Sequence, residues 1–198
     1  MAVAGEPCDV QTRYYCASIE TDPARASQMQ KNLIALLRAS MPTMREAGGG
    51  NGNGVRDLGR ELAVIRPYLE ILKVRMEERL ATDIQVPDGL LSAEFPPMMI
   101  QGLVENAIKH GLEPKPGGGT VWIIARAFDD HVTLTVADDG LGFGQGTSGT
   151  GIGLKNLRER LRLTCGDRAG VAIVSNFPSG VAATITLPRD AREAIHAA

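Results

Sequence analysis

Asp138-Asp139-Gly140-Leu141-Gly142 follows directly on the run His131-Val132-Thr133-Leu134-Thr135-Val136-Ala137. In that run Val132, Leu134 and Val136 alternate with His131, Thr133 and Thr135, which is the pattern of a strand with one apolar face. The acidic pair then stands at the strand's end, in a D-x-G-x-G arrangement. A carboxylate there accepts hydrogen bonds only, which matches an exocyclic amino group such as that of adenine. Gly140 and Gly142 have no side chain to hold a flat ring away from the backbone. Taken alone, the same five residues are more often an ordinary turn.

Upstream, Thr120 to Phe128 is a second β-rich run, joined to the first by Asp129-Asp130 as a hairpin. Before it, Pro96-Pro97 opens a helix through Met98 to His110. Asn106, Lys109 and His110 stand at i, i+3 and i+4 in that helix, so they are expected on one face, with Glu105 beside them. An amide oxygen and a cation on one face suit a metal-bound polyphosphate, although a polar helix stripe by itself is usually a solvated face. Downstream, the segment from Gly140 to Gly153 is rich in glycine and leads into a helix from Leu154 to about Leu163. Gly149-Thr150-Gly151-Ile152-Gly153-Leu154 opens that helix, where backbone N–H groups can cradle phosphates. It is not a P-loop, because no Gly-Lys-Ser/Thr follows. Ala81 to Val86, Val171 to Ser175 and Val181 to Leu187 complete the strand candidates, with Pro178-Ser179-Gly180 as a turn between the last two. The expected architecture is α+β: a largely antiparallel sheet with helices on one face.

The N-terminal part differs in texture. Ala47 to Gly54 reads AGGGNGNG, a flexible linker between two helical stretches. Ahead of it, Asp22-Pro23 caps a helix whose apolar residues Met29, Leu33, Leu36 and Leu37 keep helical spacing until Pro42 disturbs it. Behind it, Leu58, Leu62, Ile65, Leu69, Leu72, Met76 and Leu80 form a coiled-coil-like seam in which Pro67 is expected to place a kink. The pair should fold as an antiparallel hairpin whose seam either covers its own domain or meets a second copy.

The chain has 198 residues, 43% hydrophobic and 22% charged, which is ordinary globular composition. A net charge of -2 excludes an overall basic nucleic-acid footprint, and 4% aromatic residues leave little for base stacking. No apolar run is long enough to span a bilayer. Cys8, Cys16 and Cys165 are odd in number and lack metal-ligand spacing, so they read as reduced thiols of a cytoplasmic protein.

Order and spacing join these motifs. An Asn-bearing helix, a hairpin, D-x-G-x-G, and then a glycine-rich loop before a helix resemble the N, G1 and G2 boxes of the GHKL ATPases. Phe95-Pro96-Pro97 through Leu103-Val104-Glu105-Asn106-Ala107-Ile108-Lys109-His110-Gly111 is similar to the N box of LytS-type sensor histidine kinases. Gly151 to Leu161 is similar to their G2 region, and Glu61 to Leu80 resembles the helix before their kinase domain. The resemblance implies a Bergerat-type two-layer α/β sandwich over residues 81–190, preceded by a helical hairpin in residues 1–80 and followed by a tail at 191–198. It implies ATP and Mg²⁺ as cofactors, with Asn106 as the metal ligand and Asp138 bound to the adenine amino group. Gly140 and Gly142 would line the base. Gly149, Gly151 and Gly153 would form the hinge of a small lid, and they and Leu154 would contact the nucleotide. Glu105, Lys109 and His110 would be polar neighbours of the phosphates, at the catalytic end. Phosphoryl transfer would go to a histidine and onward to a response-regulator partner, with a homodimer formed through the helical region.

One departure qualifies the resemblance. Residues 1–18, where the phosphoacceptor histidine of a LytS-type kinase is expected, contain no histidine; His110 is the first, followed by His131 and His196. A truncated or altered start, or a degenerate kinase, would each account for it. The alternative function is therefore a GHKL module that binds ATP and a protein partner without autophosphorylation; an anti-sigma-type serine kinase would show similar boxes.

Overall fold

The computed structural model describes residues 22–46, 56–142 and 152–188. Helix α1 spans Pro23–Glu46. Asp22 caps it, accepting from the N–H of Arg25 through Oδ1 at 3.0 Å. The disturbance expected at Pro42 does not end the helix, which continues through it to Glu46. Helix α2 spans Leu58–Met76, capped by Asp57, which accepts from Arg60 N–H at 2.7 Å. Pro67 lies inside α2 without ending it. Arg25, near the start of α1, donates to the carbonyl of Val74 and pairs with Glu77 at the far end of α2, so the two helices run antiparallel.

The expected seam is buried throughout. Leu58, Leu62, Ile65, Leu69, Leu72, Met76 and Leu80 belong to one apolar cluster with Phe95, Met99, Leu103, Val104 and Ile108. Of the two alternatives left by the sequence, α2 therefore covers its own domain. A two-strand pair fastens its start: β1 (Arg56–Asp57) runs antiparallel to β3 (Glu94–Phe95). The N–H groups of Leu58 and Gly59 continue the pairing onto the carbonyls of Ala93 and Leu91.

The main sheet has five strands in the order β2 (Leu80–Gln85), β4 (Gly119–Ala127), β5 (His131–Asp138), β7 (Val181–Pro188), β6 (Gly170–Ser175). All neighbours are antiparallel except β2 and β4, which are parallel. Val121, Ile123, Leu134, Val136, Ala183, Ile185 and Leu187 turn inward to the helices. Helix α4 spans Ile152–Cys165, longer than expected at its C-terminal end, with Leu161 and Cys165 buried. Helix α3 spans Met99–Asn106 and then widens into a π-helical turn at Ala107–Leu112, closed by Glu113 N–H on the carbonyl of Ile108 at 2.8 Å. The regular i, i+3, i+4 register expected for Asn106, Lys109 and His110 is thus interrupted directly after Asn106.

Candidate functional site

The site is built around the end of β5. The β5–β7 ladder stops at Ala137↔Ala182, one residue short of Asp138. The N–H of Val181 is then available for the Asp138 side chain, and it donates to Oδ1 at 3.3 Å, while Gly140 N–H donates to the same oxygen at 2.9 Å. Asp138 is only 2% exposed, and its Oδ2 has no hydrogen-bond partner among the described residues. Burial pushes its carboxyl above the usual carboxylate range; the two N–H donors oppose that shift, the neighbouring Asp139 charge adds to it, and the Lys115 ammonium opposes it. The result is a largely buried carboxylate with one oxygen fixed and the other, at the edge of the burial, without a partner among the described residues.

Bare backbone surrounds it. A Cβ on Gly111, in the π-helical turn, would lie 2.6 Å from Asp138 Oδ1. A Cβ on Gly140 would lie 2.4 Å from the backbone of Gly111, and Leu141 N–H donates to the Gly111 carbonyl at 3.1 Å. Gly142 has φ +74. The helix bearing Asn106 and the turn bearing Asp138 are therefore in direct backbone contact.

Several residues that the sequence did not single out hold this turn. Lys115 Nζ donates to the Asp139 carbonyl at 2.6 Å, and Thr120 N–H donates to Asp139 Oδ1 at 2.8 Å. From the turn between β6 and β7, Asn176 Nδ2 donates to the Asp138 carbonyl at 2.9 Å and Ser179 Oγ to the Asp139 carbonyl at 3.2 Å. The only sequence signal there was turn chemistry, which says nothing about what a turn touches.

Asn106 and His110 are half-buried, while Glu105 and Lys109 are exposed. The charge of Glu105 reaches Tyr68 of α2: burial raises the Tyr68 hydroxyl's pKa, Glu105 raises it further, and Arg75 opposes. Asn106 makes no side-chain hydrogen bond among the described residues. Gly153 and Leu154 fall in the first turn of α4, whereas Gly149 and Gly151 lie outside the described residues. Among the described residues no three His, Cys, Asp or Glu side chains gather as a metal site. A divalent ion here would need its oxygens from a bound ligand, with Asn106 as a protein contribution, and the free amide fits that role. A separate groove, lined by Ile84, Val86, Ile124 and Arg126, lies at the opposite end of β2 and β4. No described helix is long and apolar enough to cross a membrane.

Residues 94–191 match the family described as histidine kinase-, DNA gyrase B-, and HSP90-like ATPase, and residues 12–80 match the histidine kinase family. The sensor histidine kinase YesM of Bacillus subtilis is 33% identical over 166 residues, covering 82% of this chain and 27% of that protein. The sensor histidine kinase/phosphatase LytS of Staphylococcus aureus is 32% identical over 190 residues, covering 89% of this chain and 31% of that protein. The chain thus spans less than a third of these relatives. Among solved structures, the histidine kinase domain of the blue-light activated kinase of Erythrobacter litoralis has a TM-score of 0.57 at 16% identity, covering 93% of this chain and 85% of that one. The histidine kinase ThkA, solved in complex with the response regulator TrrA, has a TM-score of 0.53 at 13% identity, covering 95% of this chain and 59% of that one. At such identities the likeness is one of fold.

Proposed function

This chain belongs to the histidine kinase-, DNA gyrase B-, and HSP90-like ATPase family, and from that premise we propose that it is the ATP-binding catalytic portion of a two-component sensor histidine kinase. The observation that carries the reading is the buried Asp138 carboxylate, with Oδ1 fixed by two N–H groups and Oδ2 open, over glycine backbone. Oδ2 accepts from the exocyclic amine of adenine, and Gly140 and Gly142 lie along the base. Asn106 offers its amide oxygen to Mg²⁺, which when bound neutralises phosphate charge. Lys109 adds a cation at that end, with Glu105 and His110 as further polar neighbours, and the first-turn N–H groups of α4 at Gly153 and Leu154 face anionic oxygens.

In the proposed reaction a histidine nitrogen attacks the γ-phosphorus, the bond to the β-phosphate bridging oxygen breaks, and ADP leaves. The phosphoryl group then passes to an aspartate of a response regulator, on the cytoplasmic side where ATP is supplied. Leu33, Ile34 and Leu37 stand exposed on α1 at 48%, 42% and 55%, and we assign that stripe to a homodimer contact, since the α2 seam is occupied internally.

Incubation of the chain with labelled ATP and a separately supplied helix bearing a LytS-type acceptor histidine tests the reading. Label on the helix, acid-labile and base-stable, is the expected outcome, with none on the chain itself. His131 stands at the opposite end of β5 from Asp138, hydrogen-bonded to Asp130 and stacked on Phe128, so it cannot present a nitrogen in line with a phosphate held near Asn106. ATP binding without transfer to any supplied helix would overturn the kinase reading.

A further inference from the structure

We infer that Asn176, in the turn between β6 and β7, is a positioning residue for the base-binding carboxylate of Asp138, an inference that rests on the adenine-nucleotide reading above. Because the β5–β7 ladder ends at Ala137↔Ala182, the N–H of Val181 is turned onto the Asp138 side chain. Asp138's own carbonyl takes its hydrogen bond from a side chain instead, the Asn176 amide at 2.9 Å, 38 residues away in sequence. Asn176 N–H also donates to the carbonyl of Gly180 at 3.0 Å and so closes the turn. Gly180 makes the approach possible: its φ is +106, and a Cβ there would lie 1.9 Å from the Asp138 carbonyl oxygen.

The two peptide links that follow Asp138 are thus each held. Asn176 holds the Asp138 carbonyl; Ser179 and Lys115 hold the Asp139 carbonyl. Loss of the Asn176 donor leaves a part-buried carbonyl unpaired. The relief is a rotation of that peptide, which swings the Asp138 side chain and re-aims Oδ2. Asn106 and the start of α4 lie on other elements, so the phosphate end is untouched. Asn176 therefore governs recognition of the base rather than retention of the triphosphate.

Calorimetry on the full chain, with Mg-ATP, Mg-GTP and inorganic tripolyphosphate, is the test. Asn176→Asp keeps the shape, removes the donor and sets a carboxylate against a carbonyl. The preference for ATP over GTP should fall about tenfold while tripolyphosphate affinity stays within about twofold. Ser179→Ala, at an exposed position, should lower the preference in the same direction by less; it decides the matter if Asn176→Asp loses its thermal transition. A wild-type preference retained in the variants overturns the role of Asn176 and leaves the nucleotide reading standing. Equal losses for ATP and tripolyphosphate mark a merely structural residue and also overturn it. A wild-type chain that binds ATP and GTP alike overturns the adenine reading itself.

Discussion

Gly111 lies so close to Asp138 that a methyl group on its Cα would sit 2.6 Å from Oδ1. The carboxylate consequently rests on helix backbone, with two N–H donors on one oxygen and the other left open. Burial is expensive for a carboxylate whose nearby cation, Lys115, is bonded to Asp139 instead, and perturbed carboxylates of this kind cluster at sites that a ligand uses.

On the proposed reading, Asp138→Ala removes the acceptor for the adenine amine. A hydrogen bond to a charged group is worth about 1.5–3 kcal/mol, so ATP affinity should fall roughly ten- to hundredfold. GTP, which presents a carbonyl at the same place, should bind poorly to the wild type and be little affected by the substitution. Equal wild-type affinity for the two nucleotides in calorimetry would remove Asp138 from the base site.

Asp138→Asn should raise the melting temperature of the nucleotide-free protein at neutral pH while abolishing ATP recognition. The carboxyl is held above its ordinary value of 3.8 by burial, so the folded chain binds that proton more strongly than the unfolded chain. The penalty is absent below 3.8, grows as pH rises toward the folded value, and is complete above it. The advantage of the variant should therefore narrow as pH is lowered. An advantage independent of pH, or none at all, contradicts the account.

Asn106→Ala should weaken Mg²⁺-dependent ATP binding, read from a Mg²⁺ titration at fixed nucleotide. Asn106→Asp retains an oxygen but adds charge where the proposed reading places the phosphates, so turnover should fall even where metal still binds. If both variants titrate like the wild type, Asn106 is a surface residue.

Leu69→Ala tests whether α2 belongs to the nucleotide-binding core. Leu69 is 1% exposed within the shared cluster, and the substitution should cost about 2–5 kcal/mol. Trp122, the chain's single tryptophan, sits in β4 at a distance in sequence and reports on the sheet. Its fluorescence transition in urea should shift to lower concentration with the variant. An unshifted transition means that α2 unfolds separately.

What the sequence made legible was local. Alternation in residues 131–137 marked β5, and the acidic pair marked its end; the α2 seam was visible as spacing. Its partner was not, because a 4,3 repeat is equally suited to a second copy and to a domain's own core. The π-helical turn after Asn106 was invisible, since one widened turn barely disturbs a helical pattern whose apolar residues Ala107, Ile108 and Leu112 remain buried. The contacts of Lys115, Asn176 and Ser179 with the acidic pair could not be read from the sequence. Each is a polar residue in a loop, and their contacts with Asp138 and Asp139 bridge 24 to 40 positions.

The shared burial of Leu62, Ile65, Leu69 and Leu72 with Phe95, Met99 and Val104 bears on how such chains can be spliced. A gene fusion that grafts a foreign input module onto residue 80 would strip α2 from the core, leave those side chains facing water and yield insoluble product. A graft ahead of Arg56 keeps the pairing Arg56↔Phe95 and Asp57↔Glu94 whole. The smallest piece that recombination can carry intact is then considerably longer than the stretch between Asn106 and Asp138 proposed to touch nucleotide.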